Sequence, residues 1–381
     1  MNQTSHAPFY QRLSLTLISL TIIGFVIFIG QDIIVPLAFS ILLAILLLPL
    51  TSFLERKRIP RAMANVIAIL LAFIFIGAII YFLSWQISNF MQDLPSIKQH
   101  LADHWKTLQK WISQNFHFSR TQQITFIDKA ADNFKSSGSG ILGSTVVSLT
   151  EALMVLVLLP VYTFLVLYYR DMIKKFLVAV FKDEHEAKVI EVLKESRSIV
   201  QGYMIGLIIE MGIVAAINSL GFIILGIQYA IFLGVLAAIL NMIPYIGMLI
   251  ASIFCMLITL TNSTEIGDIL GVLVILIVVQ FIDNNIIMPK VVSSKVKINA
   301  LITILGVLVG GTLAGVSGMF LSIPAIAILK VIFDRVDDLK PWGMLLGDDI
   351  TGTKKGKFLM QLSNITNKLK PAAPLKPPTL D

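Results

Sequence analysis

The sequence predicts an all-α, polytopic integral membrane fold, and three observations carry that prediction. Of 381 residues, 56% are hydrophobic and only 14% charged, with a mean hydropathy of +0.85. A water-soluble core cannot hide that much apolar surface. Apolar runs of span length recur along the chain, separated by short loops rich in lysine and arginine. Two of the runs, residues 231–260 and 299–333, are interrupted by proline or glycine near their middles, which is the pattern of broken or re-entrant helices.

Residues 1–90 supply three spans. The first, 13–29, has one preceding charge, Arg12, and no small-residue cleavage site after it, so it reads as a retained span and not a cleaved signal. The second, 33–54, carries Pro36 and Pro49 near its ends, where a missing N–H is tolerated. The loop 55–61 that follows, ERKRIPR, has four basic residues against one acid and is placed in the cytoplasm by the positive-inside rule. Span three covers 62–85 and exits into residues 91–140, a polar region without a span-length run. There Ile97, Leu101, Leu108 and Ile112 recur at helical spacing, predicting extracytoplasmic amphipathic helices with Trp85, Trp105 and Trp111 at the interface. His100 and His104 share a helical face, but no HExxH or cysteine companion accompanies them, so no metal site is assigned.

Span four is 141–169, with Glu151 and Pro160 inside it. Residues 170–198 mix seven basic and six acidic side chains on a helical pattern, the composition of a solvated cytoplasmic helix. Residues 199–335 form the transport core, beginning with span five, 199–225. Glu210 sits near its middle, with Asn218 on roughly the same face. A charge at mid-span costs about 2.5–3.5 kcal/mol on insertion scales, so Glu210 needs a partner or a purpose. The remainder, 336–381, is polar and proline-dotted and reads as a loosely ordered cytoplasmic tail.

The stretch 280–297, QFIDNNIIMPKVVSSKVK, breaks the apolar core with Gln280, Asp283, Asn284 and Asn285, then Pro289, then Lys290, Lys295 and Lys297. Asp283 either lies on a transport pathway or marks the membrane interface, where a charge is cheap. The three lysines bear on topology. If 231–260 and 299–333 were kinked spans, the lysine loop would lie outside; if both are re-entrant hairpins with tips near Pro244 to Gly247 and Gly310 to Gly315, it falls inside. Charge favours the hairpins, and both termini are then cytoplasmic. A full span followed by a hairpin, twice over and entering from opposite sides, is an inverted repeat. Its broken helices make Asn218, Asn241, Pro244, Gly247, Gln280, Asn284, Asn285, Pro289, Gly310, Gly311 and Gly315 candidates for a substrate pathway, with Glu210 and Asp283 as ion or proton sites.

Several motifs together resemble the autoinducer-2 exporter family of predicted permeases: GLIIE around Glu210, GIQYA from Gly226, NMIPYIG from Asn241, QFIDNNIIMPK followed by SSKVKINAL, GVLVGG, and GVSGMFLSIP from Gly315. The resemblance is dense over residues 201–346 and extends to the span layout of the whole chain. It implies a transporter of about eight membrane segments in the inner membrane, without an ATPase domain, of a family associated with export of small signalling molecules or with sodium–proton exchange. It also implies a homo-oligomer.

Other function classes find little support. No phosphate-binding loop is present, since Gly352 to Lys357 has the wrong spacing, and no triad or paired-carboxylate motif points to catalysis. The formal charge of +7 belongs to loops and tail and signals topology and anionic-lipid contact, not nucleic acid. The single cysteine, Cys255, has no disulfide partner, and no cofactor is implied. Three readings remain: a secondary transporter of a small molecule or monovalent cation, an uncoupled oligomeric channel or exporter, and a membrane scaffold.

Overall fold

A computed structural model describes residues 9–92, 149–181, 185–243, 246–262, 266–292 and 298–348. All regular elements among them are helical: α1 (Phe9–Ile29), α2 (Gln31–Arg56), α3 (Arg61–Gln92), α4 (Leu149–Tyr168), α5 (Arg170–Ala179), α6 (Glu186–Ile224), α7 (Ala230–Asn241), α8 (Ile246–Asn262), α9 (Ile266–Ile282), α10 (Met288–Val291), α11 (Ala300–Arg335) and α12 (Lys340–Leu346). The amphipathic region with its histidines and tryptophans at 105 and 111, the proline at 244, and the tail beyond 348 lie outside the described residues.

Five described helices are long and apolar enough to cross a membrane, and α4 with α5 would make a sixth but for a 65° bend between them. The protein is thus a multi-pass membrane protein. Outward side chains such as Leu71, Phe75 and Ile74 on α3 are exposed and apolar, as lipid-facing positions require. The buried side of this N-terminal layer is a small cluster of Ala44, Leu47, Ala68, Ile69 and Leu167, where α2, α3 and α4 meet. Ser40, one turn beyond Pro36, donates to the Leu159 carbonyl at 3.1 Å and ties α2 to α4.

The C-terminal core is organised by α6 and α9. A β-carbon on Gly206 would fall 2.8 Å from the Val291 carbonyl, and one on Gly271 would meet Leu225, so the two helices run antiparallel and close along their length. From the far end of α6 the chain reverses through Gly226 and Tyr229, both with positive φ, and α7 folds back on α6 with Gly234 against Ser219. It does not run the full length. α7 ends at Asn241, level with Val214 and Val279, and α8 returns beside it, with Gly247 against the Leu240 carbonyl and Cys255 beside that of Leu233.

The 36 residues of α11 pass a length test for one span, yet they double back. Helical geometry is broken at Ala314 (φ −149°, ψ 30°) and Gly315 (φ 58°, ψ −144°), the latter a conformation essentially restricted to glycine. Gly310 then lies against Gly318, and Gly306 against Ile326, contacts impossible in a straight helix. Of the two arrangements open from the sequence, the core therefore has the hairpins, each following one of an antiparallel pair of long helices.

Ion pairs and hydrogen bonds show which loops share an end of the molecule. Arg61 pairs with Asp171 at 2.7 Å and Arg170 with Glu55 at 2.6 Å, joining loop 55–61 to α5. Arg335 bridges Glu191 and Glu195, and Lys188 reaches Asp337 at 3.1 Å. Asn299, just past the lysine loop, donates to the Leu345 carbonyl at 2.6 Å, while Val292, just before it, packs on Tyr203. The basic segments thus gather at one end.

Two boundaries differ from the sequence reading. The charged segment 170–198 is not a separate helix: it divides between α5 and the first turns of α6, which continue unbroken into the span because no proline or glycine stops them before Gly202. Residues 340–346, read as the start of a loose tail, form α12, whose Gly343 lies against Asp334 of α11.

Candidate functional site

The antiparallel packing of α6 and α9 brings the two mid-core acids together. Glu210 and Asp283 are 8% and 2% exposed, and their carboxyl groups lie beside each other. Asn241, at the end of α7, donates its Nδ2 to Asp283 Oδ2 at 3.0 Å. Glu210 Oε2, Asp283 Oδ1 and Asn218 Oδ1 are all buried without a donor beside them. Beside this group is a small cavity of about 20 Å³, lined by Asn218, Asn241, Ser252 and Gln280 among apolar neighbours. That is room for about one water-sized species.

A local feature of the backbone presents Asp283. Over Asp283–Ile287 the helix widens into a π turn, closed by the Met288 N–H donating to the Asp283 carbonyl. Pro289 supplies the cause: its ring has no N–H and crowds the carbonyl four residues back, so the regular α register cannot continue through it. Such single π turns recur where a side chain must be aimed at a site.

Not every candidate joins this group. Asn284 accepts from Gln280 Nε2 at 3.0 Å and Asn285 donates to the Phe281 carbonyl at 2.8 Å; both are exposed, as is Pro289. Gly310, Gly311 and Gly315 form the seam and turn of the second hairpin. Gly247 serves the first, where a β-carbon would overlap the Leu240 carbonyl.

Against this geometry the comparisons are decisive for the family. The model for "AI-2E family transporter" matches residues 15–338. The chain belongs to the AI-2E transporter family. Among its relatives is a "Putative transport protein" of Haemophilus influenzae, 30% identical over 84% of this chain and 91% of that one. "Putative transport protein YrrI" of Bacillus subtilis is 26% identical over 79% of this chain and 86% of its own. "Putative permease PerM" of Escherichia coli K12 is 26% identical over 85% and 94%.

In this AI-2E family chain, three parts of the site escaped the sequence reading. Ser252 on α8 faces the cavity only because the hairpin folds it there. Tyr203 lies buried two turns before Glu210 on the same face, a spacing that could have been read directly. The π turn had its signal in Pro289, which cannot continue a regular α register.

Proposed function

We propose that this AI-2E family protein is a secondary transporter of the inner membrane, in which Glu210 and Asp283 jointly bind a proton or a monovalent cation. One observation carries the reading: two carboxyl groups on antiparallel helices, buried against each other, beside an amide at the tip of a half-length hairpin. Two carboxylates held this close out of water require positive charge between them. The donor-free oxygens of Glu210, Asp283 and Asn218 offer the hard ligands a sodium ion or a proton would take. A small molecule exchanged for that ion would enter where the hairpin tip meets α6 and α9.

Alternating access follows if occupancy of the pair sets the position of the hairpin tip. With the pair loaded, the Asn241 amide has a neutralised partner; with it empty, the amide is drawn to a carboxylate. The basic loops gathered at one end support a cytoplasmic assignment for that end, and with it for both termini.

Reconstitution into liposomes containing a pH-sensitive dye tests the reading. Wild type should show dye response to an imposed proton or sodium gradient, and Glu210→Gln should abolish it while remaining folded. Equal flux in the two proteins would point to an uncoupled channel, and absence of flux in both would leave the scaffold reading.

A further inference from the structure

A second, larger cavity lies away from the carboxyl pair. It is a groove of about 750 Å³ at the basic end, bounded by the last turns of α2, by α5 and by the first turns of α6. Its lining combines an apolar wall, including Leu48, Leu177 and Leu193, with four cations: Arg170, Lys174, Lys194 and Arg197. Nothing in the ion-exchange reading uses it.

Among the described residues, the acids nearest these cations are engaged in other pairs. Asp171, the one acid in the lining, is held by Arg61 at 2.7 Å, and Glu55 by Arg170 at 2.6 Å. Glu191 and Glu195, on the same turns of α6 as Lys194, are both taken by Arg335. Lys174, Lys194 and Arg197 have no ion-pair partner among the described residues, and Nη1 of Arg170 is buried without a hydrogen-bond partner. Three free cations and an orphaned guanidinium nitrogen around one groove are a site for an anion with several acceptor oxygens.

The setting identifies the anion's carrier. α5 leaves α4 at 65°, as a helix does when it turns from crossing a membrane to lying along its surface. Its Met172, Phe176 and Val180 are exposed, an apolar face with nothing protein-made to cover it among the described residues. A groove of this volume is far larger than a phosphate alone needs, and its leucine wall suits the glycerol and first methylenes of an amphiphile. We propose that the groove binds the phosphate headgroup of an anionic phospholipid, holding α5 on the membrane surface and the start of α6 against α2.

The test uses the full-length protein purified in detergent, with phosphatidylglycerol and phosphatidylcholine as probes, read by native mass spectrometry and by lipid-induced shift in melting temperature. Wild type should retain phosphatidylglycerol at least about tenfold better than phosphatidylcholine, a preference of the size that a few unscreened cations confer. Lys194→Gln combined with Arg197→Gln should remove that preference. Lys175→Gln, which removes one positive charge on α5 outside the groove lining and so matches Lys174→Gln, should keep it. If the double variant does not fold, Lys174→Gln alone should weaken the preference several-fold. Equal retention of the two lipids by wild type, or an undiminished preference in the groove variants, would overturn the proposal. Displacement of phosphatidylglycerol by millimolar inorganic phosphate would assign the groove to a soluble phosphate and overturn its lipid occupant.

Discussion

The side-chain amide of Asn241 donates to the carboxylate of Asp283 at 3.0 Å, joining the tip of one hairpin to the π turn of the opposing helix. These residues are 42 apart in sequence and meet because α7 stops level with Val214, well short of the full length of α6. A hydrogen bond to a charged group is worth about 1.5–3 kcal/mol. Because that bond is stronger when the pair is empty, it opposes loading, and Asn241→Ala should tighten the apparent affinity for the coupling ion by roughly 10- to 100-fold, with the protein still folded. The ion-concentration dependence of exchange in proteoliposomes reads this out; an unchanged affinity would remove Asn241 from the site.

The two hairpins give a second expectation. Gly315 has φ 58° and ψ −144°, and a β-carbon on Gly310 would lie 2.3 Å from the Gly318 carbonyl. Gly315→Ala should cost about 1–3 kcal/mol for backbone strain, and Gly310→Val a comparable amount for pushing the arms apart. Gly24 and Gly77, with open space around them, should accept alanine without loss. Melting temperatures in detergent separate the two pairs. Equal behaviour of all four would mean that α11 is a straight helix.

What the sequence could show and what it could not divide along physical lines. Span positions were legible because twenty-odd apolar residues have few uses besides a membrane crossing. The hairpins were legible only as one of two options, since Pro244 and Gly310 to Gly315 serve a kink as well as a turn. Charge on Lys290, Lys295 and Lys297 favoured the arrangement in which both runs fold back. Glu210 and Asp283 were each visible as costly, but their mutual contact was not. It depends on the register of α6 against α9, which is set by the shape of Gly206, Gly221 and Gly271 and not by any periodicity. Asn284 and Asn285 are exposed although the neighbouring Asp283 is buried. On a helix, consecutive residues do not share a face.

Orientation of the lysine loop can be tested by accessibility. With Cys255 replaced by serine, Lys290→Cys and Arg58→Cys should react with an impermeant thiol reagent from the same side of the membrane. Gln228→Cys, in the turn beyond the far end of α6, should react from the other. Opposite labelling of positions 290 and 58 would overturn the hairpin arrangement.

The link between the last arm of α11 and the start of α6 should depend on pH and salt. Asp337 is held below the usual carboxylate range by hydrogen bonds from Lys340 and Lys188 and by their charge. Because its folded value is depressed, its contribution is fully present above the unfolded value of about 3.9 and is lost as pH falls through the lower folded one. Arg335, which bridges Glu191 and Glu195, keeps its charge throughout. Hydrogen exchange over residues 336–346 should therefore be unchanged from pH 7 to pH 5, and amides there should lose protection below about pH 4, after correction for the intrinsic rate. Lys188→Gln should move the onset upward toward the unfolded value, and molar salt should mimic it, since these groups are exposed and screened. A protection profile that does not respond to Lys188→Gln would show that α12 is held by its Asn299 hydrogen bonds and not by charge.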